Sequence, residues 1–366
     1  MNSPILARRL HRALLASLLL LAVFISPGLH AATYYWDTND STAGFGTAGG
    51  TWAAPTTNNS TQGWSTSATG VNAMSGTTTT TTGDALNFGT STNGLAAGTI
   101  TVSGDVSSAN ITFGNASGNI TLSGGNITLN GNILSSAASA GKAHTITSNI
   151  TLSGGSRTFG NNANQRFIFN GVISGSSNLV ADTQNNGGAI TLNGTNTFTG
   201  NFQITRGQVN FNSLADAGQN SALGAGSVIT SGGGGGQQPF WWYTGASSAS
   251  SNRSWNLQGS TSTIAAQDGS LLLSGNFNNV SSFNAALTLV GTADTGTNEI
   301  SGNIFNGNNS SYTTSITVAS SAPQGGSTEA GFWILSGNNS YNGTTSVQNS
   351  SILRIAHSNA LGSTVG

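Results

Sequence analysis

The chain has 366 residues, of which only 5% are charged, where an ordinary soluble domain has roughly 25%. Its 9 basic and 10 acidic residues are too few and too scattered for a nucleic-acid surface, which needs clustered Lys and Arg to neutralise phosphates. There is no cysteine, so disulfides and thiolate metal sites are excluded, and 52 glycines among short β-branched runs point to strands and tight turns.

Arg8, Arg9 and Arg12 precede an apolar stretch over residues 13–25, too short for a membrane span of about 20 residues. Small residues follow at Ala31 and Ala32, so residues 1–31 read as a cleaved signal peptide and the protein as exported. Residues 32–83 form an aromatic N-terminal cap and a Thr-rich connector. Tyr34, Tyr35, Trp36, Trp52 and Trp64 are expected to close the open end of the first rung of a repeat array; a glycan-stacking platform is the other reading. Asp37 and Asp40 are the one close pair of acids, and the string DTND reads as turn chemistry. The threonine run at 77–82 is expected to be an exposed connector.

From residue 84 onward strand-like runs of three to five residues recur at 86–88, 99–102, 110–113, 119–122 and Asn126–Leu129, punctuated by Gly, Asn and Ser. NITLSGG occurs at 119–125 and again at 149–155, which reads as a repeat 30 residues apart. Alternation in I-T-L and I-T-F puts apolar side chains on one face and Thr on the other. The fold class expected is all-β: a right-handed parallel β-helix (β-solenoid) over 84–366, with apolar stacks in its bore. Low charge fits, because like charges stacked on successive rungs would repel.

Residues 232–236 are five glycines and read as a break; the aromatic cluster Phe240–Tyr243 follows. It is read either as a loop packing back on the solenoid or as a sugar-stacking site. In an extended segment Trp241 and Trp242 face opposite ways, so one is expected to pack inward and the other to be exposed; these two are the candidate glycan contacts. Runs at Leu271–Leu273, 286–290, 300–305, 315–318 and Phe332–Leu335 resume the strands.

A longer repeat links residues 189–224 to residues 334–362. Leu192, Gly194, Asn196, Phe198, Gly200 and Ile204 meet Leu335, Gly337, Asn339, Tyr341, Gly343 and Val347 at one offset, and both copies close on Ala-Leu-Gly. LSGNNSYNGTTSV at 335–347, with ILRI and NALG behind it, resembles the autotransporter-associated β-strand repeat family; LNGTNTFTGNFQI at 192–204 is similar. The resemblance implies a parallel β-helix passenger, exported and displayed or released at a bacterial surface, and supplies no catalytic residues. Ser350-Ser351 stands where the first copy has Gly207 and adds a residue, so a bulge is expected there. No outer-membrane barrel pattern follows and no capping pattern closes the last repeat. The solenoid is therefore expected to be incomplete at Gly366, and membrane association to depend on a translocator or anchor outside this chain.

Asp84, Asp105, Asp182, Asp216, Asp268, Asp294, Glu299 and Glu329 are scattered, although Asp182 or Asp216 could stack near Arg206. His144 and His357 lack metal-ligand spacing, and no catalytic motif is present. No catalytic, cofactor or metal residues are expected. The reading is a non-enzymatic surface or secreted passenger, structural or adhesive, with surface glycans or other cell-surface components as partners. The alternative is a β-helical polysaccharide lyase or glycoside hydrolase, which would need convergent carboxylates. Ice binding is weaker, because Thr99 and Thr101 show no regular successors in the sequence.

Overall fold

The computed structural model describes residues 31–366 except 137–140, 161–165, 184–187, 234–237, 260, 292–297, 308–310, 321–330 and 364–366. Residues 1–30, where the signal peptide is expected, most of the glycine run, Asp294 and Glu329 lie outside the described residues.

Alternation of apolar and polar residues over three to five positions makes each segment a strand with one buried edge. Ile120–Ser123, Asn126–Leu129 and Ile133–Ser135 lie on three successive faces, and Ala143–Ile146, Asn149–Leu152 and Arg157–Phe159 follow on the same three, one rung on. The pairing is parallel and in register: Ile127, Thr128 and Leu129 lie beside Ile150, Thr151 and Leu152. The first and third faces are 12-stranded sheets; the second consists of a 4-stranded and a 5-stranded sheet. The result is a β-solenoid of about 10 turns, with no helix among the described residues. Ile, Leu and Phe fill the bore, and aromatics stack along it, as in Phe88 on Phe113 at 5.3 Å and Trp255 on Phe277 at 5.5 Å.

Three sequence expectations change. The identical NITLSGG strings do not stack on one another: Ile120–Ser123 is on the first face and Asn149–Leu152 on the second. The strand beneath Asn149 belongs to a third NITL, at Asn126–Leu129, so the local rung is 23 residues and the 30-residue spacing is a rung plus one step around the coil. Second, the sheets begin before residue 84. Thr33–Asp37 pairs in parallel with Ala85–Phe88, and Thr51–Trp52 with Gly98–Val102. Gly63–Ser65 lies antiparallel on Thr33–Asp37 and ends the third face, with Trp64 edge-on to both Trp36 and Trp52. Third, the threonine run is built into the fold. Thr77–Thr78 pairs with Thr56–Thr57, and buried Thr80 accepts the Trp52 indole N–H at 3.1 Å. Burying an indole costs less when its N–H meets an acceptor, and here a threonine hydroxyl supplies one.

The two long repeats follow one local path displaced by one face. The first copy places Ala189–Leu192, Phe202–Arg206 and Gln208–Phe211 on the first, third and first faces; the second places Phe332–Leu335, Thr345–Val347 and Ile352–Ile355 on the second, first and second. Between the first two strands of each copy the chain turns on a buried asparagine. Asn196 Oδ1 accepts the Ile173 N–H at 2.7 Å and its Nδ2 donates to the Ala222 carbonyl at 2.6 Å. Asn339 does the same with Ile304 N–H and the Ala360 carbonyl, at 2.8 and 2.7 Å. The Ala-Leu-Gly ending is thus the other half of a clasp. Its glycines, Gly224 and Gly362, have φ of 72° and 79°, and a Cβ on them would collide with the ring of Phe198 and the backbone of Tyr341. At the departure between the copies, the left-handed role of Gly207 is taken by Asn349 and Ser350 together, both at positive φ in a turn.

Candidate functional site

Phe240–Tyr243 is a strand of the first face, not a loop, between Gln208–Phe211 and Thr263–Ala266. Trp241 points into the bore with 0% exposure; its indole N–H donates to Ser231 Oγ at 2.8 Å and its ring is edge-on to Trp255 at 5.2 Å. It has no surface to offer a sugar, which corrects its place among the glycan contacts. Trp242 points outward and is partly exposed, stacked on Phe240 at 5.4 Å in a small outer cluster with Ala265 and Val290. Its indole N–H is buried without an acceptor, so only part of the ring faces solvent.

A more exposed aromatic carries no mark in the sequence. Phe283 is 48% exposed and, with Val280, borders a cleft of about 310 Å³ lined by Gln258, Ser281 and Ser282. An accessible ring among neutral hydrogen-bonding groups suits the apolar face of a sugar. A single Phe in the string NVSSFN carries no periodic or compositional signal that could have marked it.

Four of the acids are engaged locally, each with its own partner. Asp182 takes both its oxygens to Arg206, at 2.5 Å to Nε and 3.1 Å to Nη2, so that of the two acids proposed beside Arg206 it is Asp182 that pairs. Hydrogen bonding to that carboxylate raises the Arg206 pKa further. Asp216 accepts the Asn252 N–H at 2.9 Å, Glu299 accepts the Ser336 hydroxyl, and Asp84 accepts from Thr81 N–H and Oγ1. His144 is buried against Phe113 at 4.2 Å, its Nδ1 accepting the Ile120 N–H. Among the described residues no three His, Asp or Glu side chains gather in one place.

The threonine rows are more regular than the sequence suggested. Thr99, Thr121 and Thr145 align on the outside of the first face, with Thr51, Thr101 and Ser123 in the row beside them. The first row stops at Ile168, which pairs with Thr145. Rows this short offer little to a lattice.

Asp37 is the outlying acid. It is 0% exposed, and burial is the main cause that pushes its carboxyl up to about 6; the Asn39 N–H opposes the shift, Asp40 adds to it and the Thr38 N–H opposes it. The neutral form is therefore favoured by folding from an ordinary value of 3.8. Its stabilising contribution is complete below 3.8 and is lost as pH rises through about 6. In chelator-treated buffer, Asp37→Asn should flatten this component. The Tm difference between variant and parent is expected to grow in the variant's favour from pH 4 to pH 7, and parallel curves would refute the assignment.

No protein family, curated protein or solved structure matches the chain.

Proposed function

We propose that this is an exported bacterial passenger, held at the cell surface or released, with a structural or adhesive role. The observation that supports it most is the disposition of polar groups along the solenoid. Away from the Asp37–Asp40 turn, Asp84, Asp182, Asp216 and Glu299 each serve a separate local contact, whereas short neutral rows such as Thr99, Thr121 and Thr145 line the outside and aromatic surface emerges at Trp242 and Phe283. Such a surface suits weak, repeated contacts with neutral glycans better than bond cleavage. Export rests on the signal-peptide pattern at residues 1–31, and the passenger reading on the likeness of residues 335–347 to autotransporter-associated β-strand repeats. Outer-membrane attachment would come from a translocator or anchor. The coil is taken as right-handed, the hand that crossover connections between parallel strands almost always adopt, with the Trp36, Trp52 and Trp64 cluster as its cap.

The test is a glycan array and whole-cell binding with the purified chain. Phe283→Ala is expected to weaken binding at unchanged Tm, and Trp242→Ala to weaken binding with a modest loss of Tm from its contact with Phe240. Trp241→Ala should instead cost about 3–5 kcal/mol of stability through the cavity it leaves. Absence of binding by the parent to glycans and cells alike would reject the adhesive reading. Polysaccharide cleavage abolished by Asp182→Asn would establish the lyase or hydrolase alternative instead, since the Asp182–Arg206 pair is the one close acid–base couple among the described residues.

A further inference from the structure

We propose that the turn after the first strand binds a hard divalent cation of the calcium class, through the carboxylates of Asp37 and Asp40 and the side-chain carbonyl of Asn39. A simple turn accounts for only part of what these residues do. Asp37 Oδ1 accepts the Asn39 N–H at 3.0 Å, the ordinary bond of such a turn, but Asp37 Oδ2 is buried with no hydrogen-bond partner. Asn39 Oδ1 is also buried and unpartnered. Two idle acceptors in one tripeptide, one of them on a fully buried carboxylate, are costly unless something positive meets them. Among the described residues neither Asp37 nor Asp40 has an ion-pair partner.

The surroundings fit a cation. Asp40 sits at φ 54° and accepts the Met74 N–H through Oδ1 at 2.8 Å, and it lies close enough for its charge to disfavour ionisation of Asp37. A Cβ on Gly70 would come within 3.2 Å of Asp37 Oδ2 and 1.8 Å of the Gly44 carbonyl oxygen, so both oxygens border the same space. Carboxylate, amide and backbone oxygens without nitrogen or sulfur form a donor set for calcium, not for zinc. With two carboxylates, affinity is expected in the range of about 0.1–1 mM. Occupancy would tie the first strand to the segment at Gly70 and Met74.

Trp36 adjoins Asp37 in the chain and packs on Trp64 at 4.9 Å, providing a built-in antenna for terbium, a calcium surrogate. After chelator treatment, terbium titrated into the full chain is expected to give saturable emission on tryptophan excitation, displaced by calcium, and calcium should raise the Tm. Asp37→Asn and Asp40→Asn each keep the acceptor used by the backbone N–H, and each is expected to abolish the emission and the Tm response. No saturable emission from the parent, or emission undiminished in folded Asp40→Asn, overturns the proposal. Asp40→Asn decides alone if circular dichroism shows Asp37→Asn to be unfolded, because Asp40 is only partly buried.

Discussion

Arg253→Ala is expected to lower unfolding stability by on the order of 3 kcal/mol or more, the largest single-residue effect outside the aromatic core. Arg253 is 1% exposed and reaches back across a rung to hold the loop that ends the first long repeat. Nη1 donates to the Leu223 carbonyl at 3.1 Å; Nη2 donates to the carbonyls of Gln219 at 2.9 Å and Gly224 at 2.6 Å. Burial holds its pKa down at about 10, opposed by the charge of Asp216. The charge is therefore kept in an unfavourable place because the carbonyls need donors. Removing the side chain strands those carbonyls in a buried corner as well as leaving a void. Arg253→Met would refill the volume without the donors, so it should recover part of the loss and no more. Urea denaturation of the three proteins gives the ranking. Equal stability of the Met variant and the parent would mean that the guanidinium acts by packing alone.

The architecture was legible because the bore imposes a period. Strand limits inferred at 86–88, 99–102 and Asn126–Leu129 lie within one residue of those in the structure, since an inward Ile, Leu or Phe marks each. What was hidden was the assignment of strands to faces. NITL serves the first face at residue 119 and the second at residue 126, because all three faces ask the same thing of a strand, one apolar edge and one polar edge. Sequence identity therefore could not say which copies stack. The run from 300 to 305 similarly hid a corner, being two strands, Asn298–Ile300 and Ile304–Phe305, on different faces.

The candidate sites were less legible still. Parity separated Trp241 from Trp242 correctly in kind, yet it could not foresee that Trp242 would lie against Phe240 with its N–H covered. Phe283 gave no signal, since exposure of a lone aromatic depends on where its turn falls on the coil. In the sequence Arg253 is an isolated cation with nothing beside it to mark a role. Its role follows from a loop more than twenty residues upstream, a relation that only the winding creates. DTND was read as a turn, which it is; its idle oxygens become visible only once the surrounding chain has buried them.

The asparagine clasp allows the two repeats to be compared within one molecule. Asn196→Ala removes an acceptor from the Ile173 N–H and a donor from the Ala222 carbonyl, both inside the coil. With about 1–3 kcal/mol for each buried group left unpaired, a loss of roughly 2–4 kcal/mol is expected. Asn196→Asp should be no better, because it retains the acceptor but faces a carbonyl with a charged oxygen. Asn339→Ala breaks the same pair of bonds, to Ile304 and Ala360. Its cost is expected to be smaller. In a stacked array each rung is stabilised by its neighbours, and the rung of Asn339 lies beside strands whose side chains are already open to solvent, with Val347 at 49% and Ile355 at 52% exposure. Hydrogen exchange would resolve the two effects: the Ile173 amide should lose protection in the first variant and the Ile304 amide in the second. If both amides stay protected, backbone geometry alone closes these turns, and the match of Asn196 with Asn339 has no energetic meaning.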